Sequence, residues 1–110
     1  MSNELIGIYE QLVMVSQRAL ENHAYEVAYH ALVAAMHCAD DLQDEQRLAF
    51  IEQEAERQKN FIDETSSNHR LSSQAVQQRG GVNLYDSLMA QAHIHHRQAK
   101  LKQHQQRLDR

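Results

Sequence analysis

Tyr25-Glu-Val-Ala-Tyr-His-Ala-Leu-Val-Ala-Ala-Met-His-Cys-Ala39 is apolar on nearly every side and dense in alanine, within a 110-residue chain that has no proline. Such a stretch reads as a helix packed between other helices. Its small residues let backbones approach closely, and its near-continuous apolar surface leaves little face for water. The expected fold class is therefore all-α: an antiparallel helical hairpin, a third helix and a long C-terminal helix, forming a three- or four-helix bundle.

On the N-terminal side, Leu5, Ile6, Ile8, Tyr9, Leu12, Val13, Ala19 and Leu20 recur at helical spacing, with Met14 outside the stripe. They predict a first helix over residues 3–21 with Ser2 or Asn3 as its cap. Asn22 and His23 leave only a short connection, with Asn22 the residue tolerant of the left-handed conformation, so the second helix returns antiparallel.

On the C-terminal side, the second helix is expected to end near Asp40. Asp41 would then cap a third helix carrying Asp44 and Glu45 in its first turn, where negative charge suits the helix dipole. Leu48, Ile51, Ala55 and Ile62 form one stripe of that helix. Phe50 and Phe61 fall together on a different face and need cover, from the C-terminal helix or from a second chain. Residues 66–83 read as a polar linker with a short helical piece, stopped by Gly80-Gly81. Asn83 and Asp86 resemble a capping pair opening the last helix.

That helix, over residues 84–108, would reach on the order of 35 to 40 Å. Its stripe of Leu84, Tyr85, Leu88 and Ala92 gives way to His95, His96, Ala99 and Gln103, so the far half reads as a solvated arm that projects or embraces a partner. A seam of Ile94, Leu101 and Leu108 persists at a spacing of seven, one apolar position per heptad.

Charge divides the chain in the same way. Residues 1–65 hold 4 Lys and Arg against 13 Asp and Glu, a balance of −9, and residues 66–110 hold 7 against 2, a balance of +5, within a net charge of −4. The organisation read from this is an acidic helical core at 1–65, a linker at 66–83 and a basic helix at 84–110. Opposite halves fold back on one another or pair between chains. Nucleic acid is the weaker reading, because the basic tail lacks aromatic and Gly-rich recognition elements. The single cysteine, Cys38, makes no internal disulfide, which points to a reducing compartment and hence the cytoplasm. No apolar run approaches the roughly 20 residues of a bilayer span, and Met1 is followed by Ser-Asn-Glu rather than by a basic stretch, so the expectation is neither secretion nor a membrane.

Leu12, Val15, Ser16 and Ala19, then Ala28, Leu32 and Ala35, are similar in their spacing of large and small residues to a tetratricopeptide repeat, in which small side chains let helices A and B interlock. The resemblance covers residues 12–40, about one repeat. The family's turn glycine falls on His23, its terminal proline on Asp40 and its helix-A aromatic on Ala19, and no second copy follows. The resemblance implies a scaffold that binds proteins and performs no chemistry of its own.

The histidines are the remaining candidates for chemistry. His23, His30 and His37 recur every seven residues, about 10 Å apart along the axis, too far for two of them to grip one metal. They read as the half-exposed edge of a packed helix. His93 and His96, three apart, are the candidate metal ligands, able to chelate a divalent transition metal from one turn, although a stable site takes three or four ligands. The Glu-x-x-His pairs of ferritin-like carboxylate chemistry are absent. Arg97 to His104 and Arg18 to His23 resemble the Arg, four to six residues, His motif of HEPN-type ribonucleases. That resemblance implies an Arg stabilising phosphate charge and a His moving the proton of the attacking 2′-hydroxyl. Ala92-His93 lacks the downstream lysine and glycine of a histidine phosphotransfer module, and Cys38, set among alanines, reads as a core residue. The expectation is a cytoplasmic, non-enzymatic protein-binding module without cofactors, a homodimer or larger, with Phe50, Phe61, Tyr85 and Leu88 as contact residues.

Overall fold

The computed structural model describes residues 2–108, with side chains from Glu4 to Leu108. The chain is 84% helical, with five helices and no strand among the described residues, so the all-α class holds. In chain order these are α1 (Ser2–Glu21), α2 (Tyr25–Asp41), α3 (Glu45–Thr65), α4 (Ser73–Arg79) and α5 (Leu84–Leu108). The cap expected from Ser2 or Asn3 falls on side chains outside the described ones. None of the helices is long and apolar enough to cross a membrane.

The alanine-rich segment is the centre of the bundle. α2 packs on α1, α3 and α5, and its Ala28, Leu32, Ala35, Met36 and Ala39 are wholly buried. Leu48, Ile51, Ala55 and Ile62 of α3 meet it as the stripe predicts. Each large aliphatic side chain so buried contributes about 1.5 to 3 kcal/mol relative to its exposed state. α2 keeps one wet edge, where Val27, His30 and His37 are exposed. On α1, Tyr9, Ser16 and Leu20 are buried, while Ile8, predicted to lie in the stripe, is exposed. Burial pushes the Tyr9 hydroxyl up to about 12, and the Arg47 guanidinium lies 5.4 Å from its ring centre.

The two short connections are built alike, each with one residue in the left-handed region: His23 at φ 61° and Gln43 at φ 53°. The left-handed residue of the first turn is thus His23 and not Asn22. Asn22 instead donates its side-chain amide to the Arg18 carbonyl at 2.8 Å, covering an open end of α1. The cap of α3 is likewise three residues later than expected. α2 continues through Asp41, and Asp44 accepts the Arg47 backbone N–H at 2.9 Å.

Residues 66–83 fold onto the bundle. Leu71 and Val76 are buried, Ser72 caps α4 by accepting the Ala75 N–H at 3.0 Å, and Asp63 accepts both the N–H and the hydroxyl of Ser73 at 2.7 Å. Gly80 ends α4 at φ 71°, a conformation that a residue without Cβ adopts freely. Asn83 then opens α5 by accepting the Tyr85 N–H at 2.8 Å, whereas Asp86 turns away to pair with Lys59 at 2.6 Å.

α5 runs back antiparallel to α3, with Lys59 facing Asp86, Glu52 facing His93 and the Gln43 carbonyl facing Gln103. It is an integral wall of the bundle for its first four turns. Burial continues to Ala99, a residue expected on the solvated half, because the small side chain lets α5 lie close to its neighbours.

Polar groups tie these helices together. Gln58 donates to the Ser16 hydroxyl at 2.8 Å and to Glu54 at 3.0 Å, and accepts the Tyr85 hydroxyl at 2.8 Å. Ser16 in turn donates to the Ala28 carbonyl at 2.6 Å. α1, α2, α3 and α5 thus meet at one buried amide whose donors and acceptor are all used, the condition under which a buried network specifies one packing. Burial pushes the Glu54 carboxyl up, but hydrogen bonds from Arg57 and Gln58 outweigh it and hold the group below its usual range.

Candidate interaction surface

Of the four predicted contact residues, two are inside. Tyr85 and Leu88 are 0% and 1% exposed, packed in the chain's own core, so they offer nothing to a partner. Of the stripe that contains them, Tyr85, Leu88 and Ala92 form the core face of α5, whereas Leu84 is 38% exposed. Phe61 is half-buried beneath the rings of His23 and Tyr25, with centroids 6.3 and 6.5 Å away. Its cover comes from the α1–α2 turn, neither of the two sources expected. Only Phe50, 38% exposed, remains a surface ring.

Open apolar surface is found instead on α1, where Ile8, Met14 and Val15 are 47, 50 and 48% exposed, and, more exposed still, on the outer side of α5. Ile94, Leu101 and Leu108 are 54, 63 and 71% exposed and stand at the predicted spacing of seven. With 3.6 residues per turn they form one crest, about 160° from the buried Ala92 and Ala99. Along one flank, His93, His96, Arg97, Lys100, His104 and Arg107 line a shallow groove with Leu101. Among the described residues, Arg97, Lys100, Lys102 and Arg107 of α5 have no carboxylate within 4.0 Å, as is also true of Arg18 and Arg79, whereas Arg47, Arg57, Lys59 and Arg70 each have at least one. The basic half meets the acidic one through Arg70–Glu26 at 2.8 Å, whereas Lys59–Asp86 at 2.6 Å joins a cation of the acidic half to an anion of the basic one, and the distal α5 cations take no part.

At the same end of the molecule the α2–α3 connection carries the opposite sign. Asp40, Asp41, Asp44 and Glu45 fall within six residues. Two are engaged: Asp44 pairs with Arg47, and Asp40 lies 3.1 Å from His95 Nδ1, near enough to attract but out of line for a hydrogen bond. Burial pushes the Asp44 carboxyl up, but the Arg47 amide and guanidinium outweigh it and hold it low. Asp41 and Glu45 have no basic partner within 4.0 Å among the described residues. Gln103 donates to the Gln43 carbonyl at 3.1 Å and separates two shallow grooves. One is lined by Leu42, Asp44 and Glu45, the other by Leu42, Ala99 and Lys102.

The other candidate side chains are dispersed. His93 Nδ1 lies 3.3 Å from Glu52, and His96 shares a groove with Glu52 and Glu56, but among the described residues no three His, Cys, Asp or Glu side chains come together to hold a metal. His93 and His96 therefore lack the third ligand a tight site takes. His23, His30 and His37 are exposed. His23 Nδ1 and the Tyr25 hydroxyl are 2.6 Å apart, and Ser66 Oγ lies 2.6 Å from the same hydroxyl, a clasp between the first turn and the end of α3. Arg97 and His104 lie on one exposed face of α5, two turns apart, and Arg18 with His23 is at the opposite end of α2 from Asp41. Burial, with Asp41 nearby, pushes the Cys38 thiol up, away from the reactive thiolate.

Sequence reasoning missed Gln58, Glu54 and the acidic corner. The first two are polar residues on a stripe read by its apolar members. The corner becomes a feature only when α5 is seen to end beside it. No family model, curated protein or solved structure matches the chain.

Proposed function

We propose that this chain is a non-enzymatic helical interaction module that self-associates, and that its working surface is the distal half of α5. The observation that carries the reading is the exposed crest of Ile94, Leu101 and Leu108 beside four cations without a carboxylate partner among the described residues. Large apolar side chains repeated along one helix face and flanked by charge are the pattern of a helix laid against another protein surface. The basic flank favours an acidic partner, and the body of the chain is itself acidic, at −9 over residues 1–65. The acidic corner beside the tail repels a phosphate backbone, which favours protein over nucleic acid.

The tetratricopeptide-like hairpin fits the same reading as the rigid base from which α5 extends. Cytoplasmic residence belongs with it, since a buried free thiol is stable in a reducing compartment.

Sedimentation equilibrium of the wild type and of Leu101→Glu tests the proposal. The wild type is expected to gain mass with concentration and the variant to remain monomeric, with a melting temperature equal to that of the wild type at dilutions where the wild type is itself monomeric, since Leu101 is outside the core. A wild type that stays monomeric throughout refutes self-association. A variant that associates like the wild type removes the α5 crest from the contact.

A further inference from the structure

We infer that the partner surface for the distal α5 is the acidic α2–α3 corner of a second copy, and that the contact is reciprocal, each copy laying its tail on the corner of the other. This rests on the self-association proposed above and adds which surfaces meet. Three observations converge on it. The tail carries Lys102 and Arg107 without carboxylate partners, and the corner carries Asp41 and Glu45 without basic partners, among the described residues. Both lie at one end of the molecule, joined by the Gln103 to Gln43 hydrogen bond. Grooves on either side of that bond expose Leu42, so apolar contact is available beside the charges.

A patch that holds both signs side by side is self-complementary under a two-fold axis. The cations of one copy face the carboxylates of the other, and the same contact is made twice. The alternative pairing, one α5 crest against another, would set Arg97, Lys100 and Arg107 against their own copies, which like-charge repulsion disfavours. A reciprocal two-fold contact also stops at the dimer, whereas a non-reciprocal docking of tail on neighbour would continue into a ring or a filament.

Charge reversal tests this directly. One variant carries Lys102→Glu with Arg107→Glu; the other carries Asp41→Lys with Glu45→Lys. All four positions lie outside the core, and thermal melting followed by circular dichroism checks the fold. Asp41→Lys alone serves as a second corner variant, because Glu45 sits in the first turn of α3, where a cation opposes the helix dipole. Native mass spectrometry reads dimer formation. Each variant alone is expected to dimerise at least roughly tenfold more weakly than the wild type, since like charges then face each other. An equimolar mixture restores both contacts and forms the heterodimer with near wild-type affinity. A wild type that dimerises while the mixture does no better than its components overturns the corner assignment and leaves self-association standing. A wild type that stays monomeric overturns both, as does a monomeric wild type that binds single-stranded RNA with an affinity lost in the Lys102→Glu, Arg107→Glu variant.

Discussion

Removing the Tyr85 hydroxyl from the buried network should cost far more alone than in company with its partner. In Tyr85→Phe the ring and its packing stay, but the Gln58 carbonyl loses the donor at 2.8 Å in a region where both residues are wholly buried. A buried acceptor left unsatisfied costs about 1 to 3 kcal/mol. In Gln58→Leu the volume is nearly kept, but the Tyr85 hydroxyl is stranded, and Ser16 and Glu54 each lose one bond. Ser16 retains the Ala28 carbonyl and Glu54 retains Arg57, so the cost is that of one stranded hydroxyl plus two weakened partners, about 2 to 4 kcal/mol. In the double variant the hydroxyl and its acceptor are both gone, so the stranding is counted in neither. The double-mutant cycle should therefore show a coupling of about 1 to 2 kcal/mol, with the pair less destabilised than the two single costs together. Against a typical total of about 5 to 15 kcal/mol, the single Gln58 substitution removes a large share, and each kcal/mol shifts Tm by roughly 4 to 8 °C in a domain of this size. Urea denaturation read by circular dichroism, in a Leu101→Glu background so that association adds nothing, measures all four corners. Strictly additive costs would refute the network.

Two glycines lie in open space, with nothing within 4 Å of an added Cβ, so their substitution reads backbone conformation alone. Gly7→Ala, in the middle of α1, should raise stability by about 0.5 to 1 kcal/mol, and Gly80→Ala, at φ 71°, should lower it by about 1 kcal/mol; equal effects in thermal melts would contradict the assigned conformations. Acid should also unfold the chain through specific carboxyls. Glu54, Asp44 and Glu26 are held below their ordinary values of 4.5, 3.8 and 4.5. For such groups the stabilisation is fully present above the unfolded-state value and is lost as pH falls through the folded-state one. The urea midpoint is expected to be flat from neutrality to about pH 5 and to decline below it, less steeply in Glu54→Gln. A midpoint unchanged to pH 3, in a protein otherwise folded, would show these carboxyls contribute nothing.

The reading of this fold from sequence succeeds where one element announces itself and fails where two distant elements decide. α2, α5 and the Gly80 stop follow from local chemistry: alanine density, an asparagine cap, a residue without Cβ. Asp44 rather than Asp41 caps α3 because α2 continues one residue longer and Gln43 takes the left-handed turn, a choice made by how the two helices close on each other. Periodicity correctly grouped Tyr85 and Leu88 on one stripe of α5 but could not say whether that stripe faced the chain's own core or a partner. The answer depends on α3 offering Ile51, Ala55 and Gln58 in antiparallel register. Phe61 was left without cover because His23 and Tyr25, its neighbours, lie about forty residues away in sequence. Charge asymmetry was visible at once. Its partial internal neutralisation, with Arg70 paired to Glu26 and the distal α5 cations left over, depends on where each side chain lands.

Amide hydrogen exchange along α5 at low and high protein concentration tests the central claim most directly. If the distal helix is the contact surface, residues 100–108 exchange rapidly when dilute and slow markedly as mass rises, while the stretch from Leu88 to Ala99, anchored to the bundle by the buried Leu88, Ala92 and Ala99, stays protected at both concentrations. Exchange in residues 100–108 that remains fast while the protein associates would contradict the account.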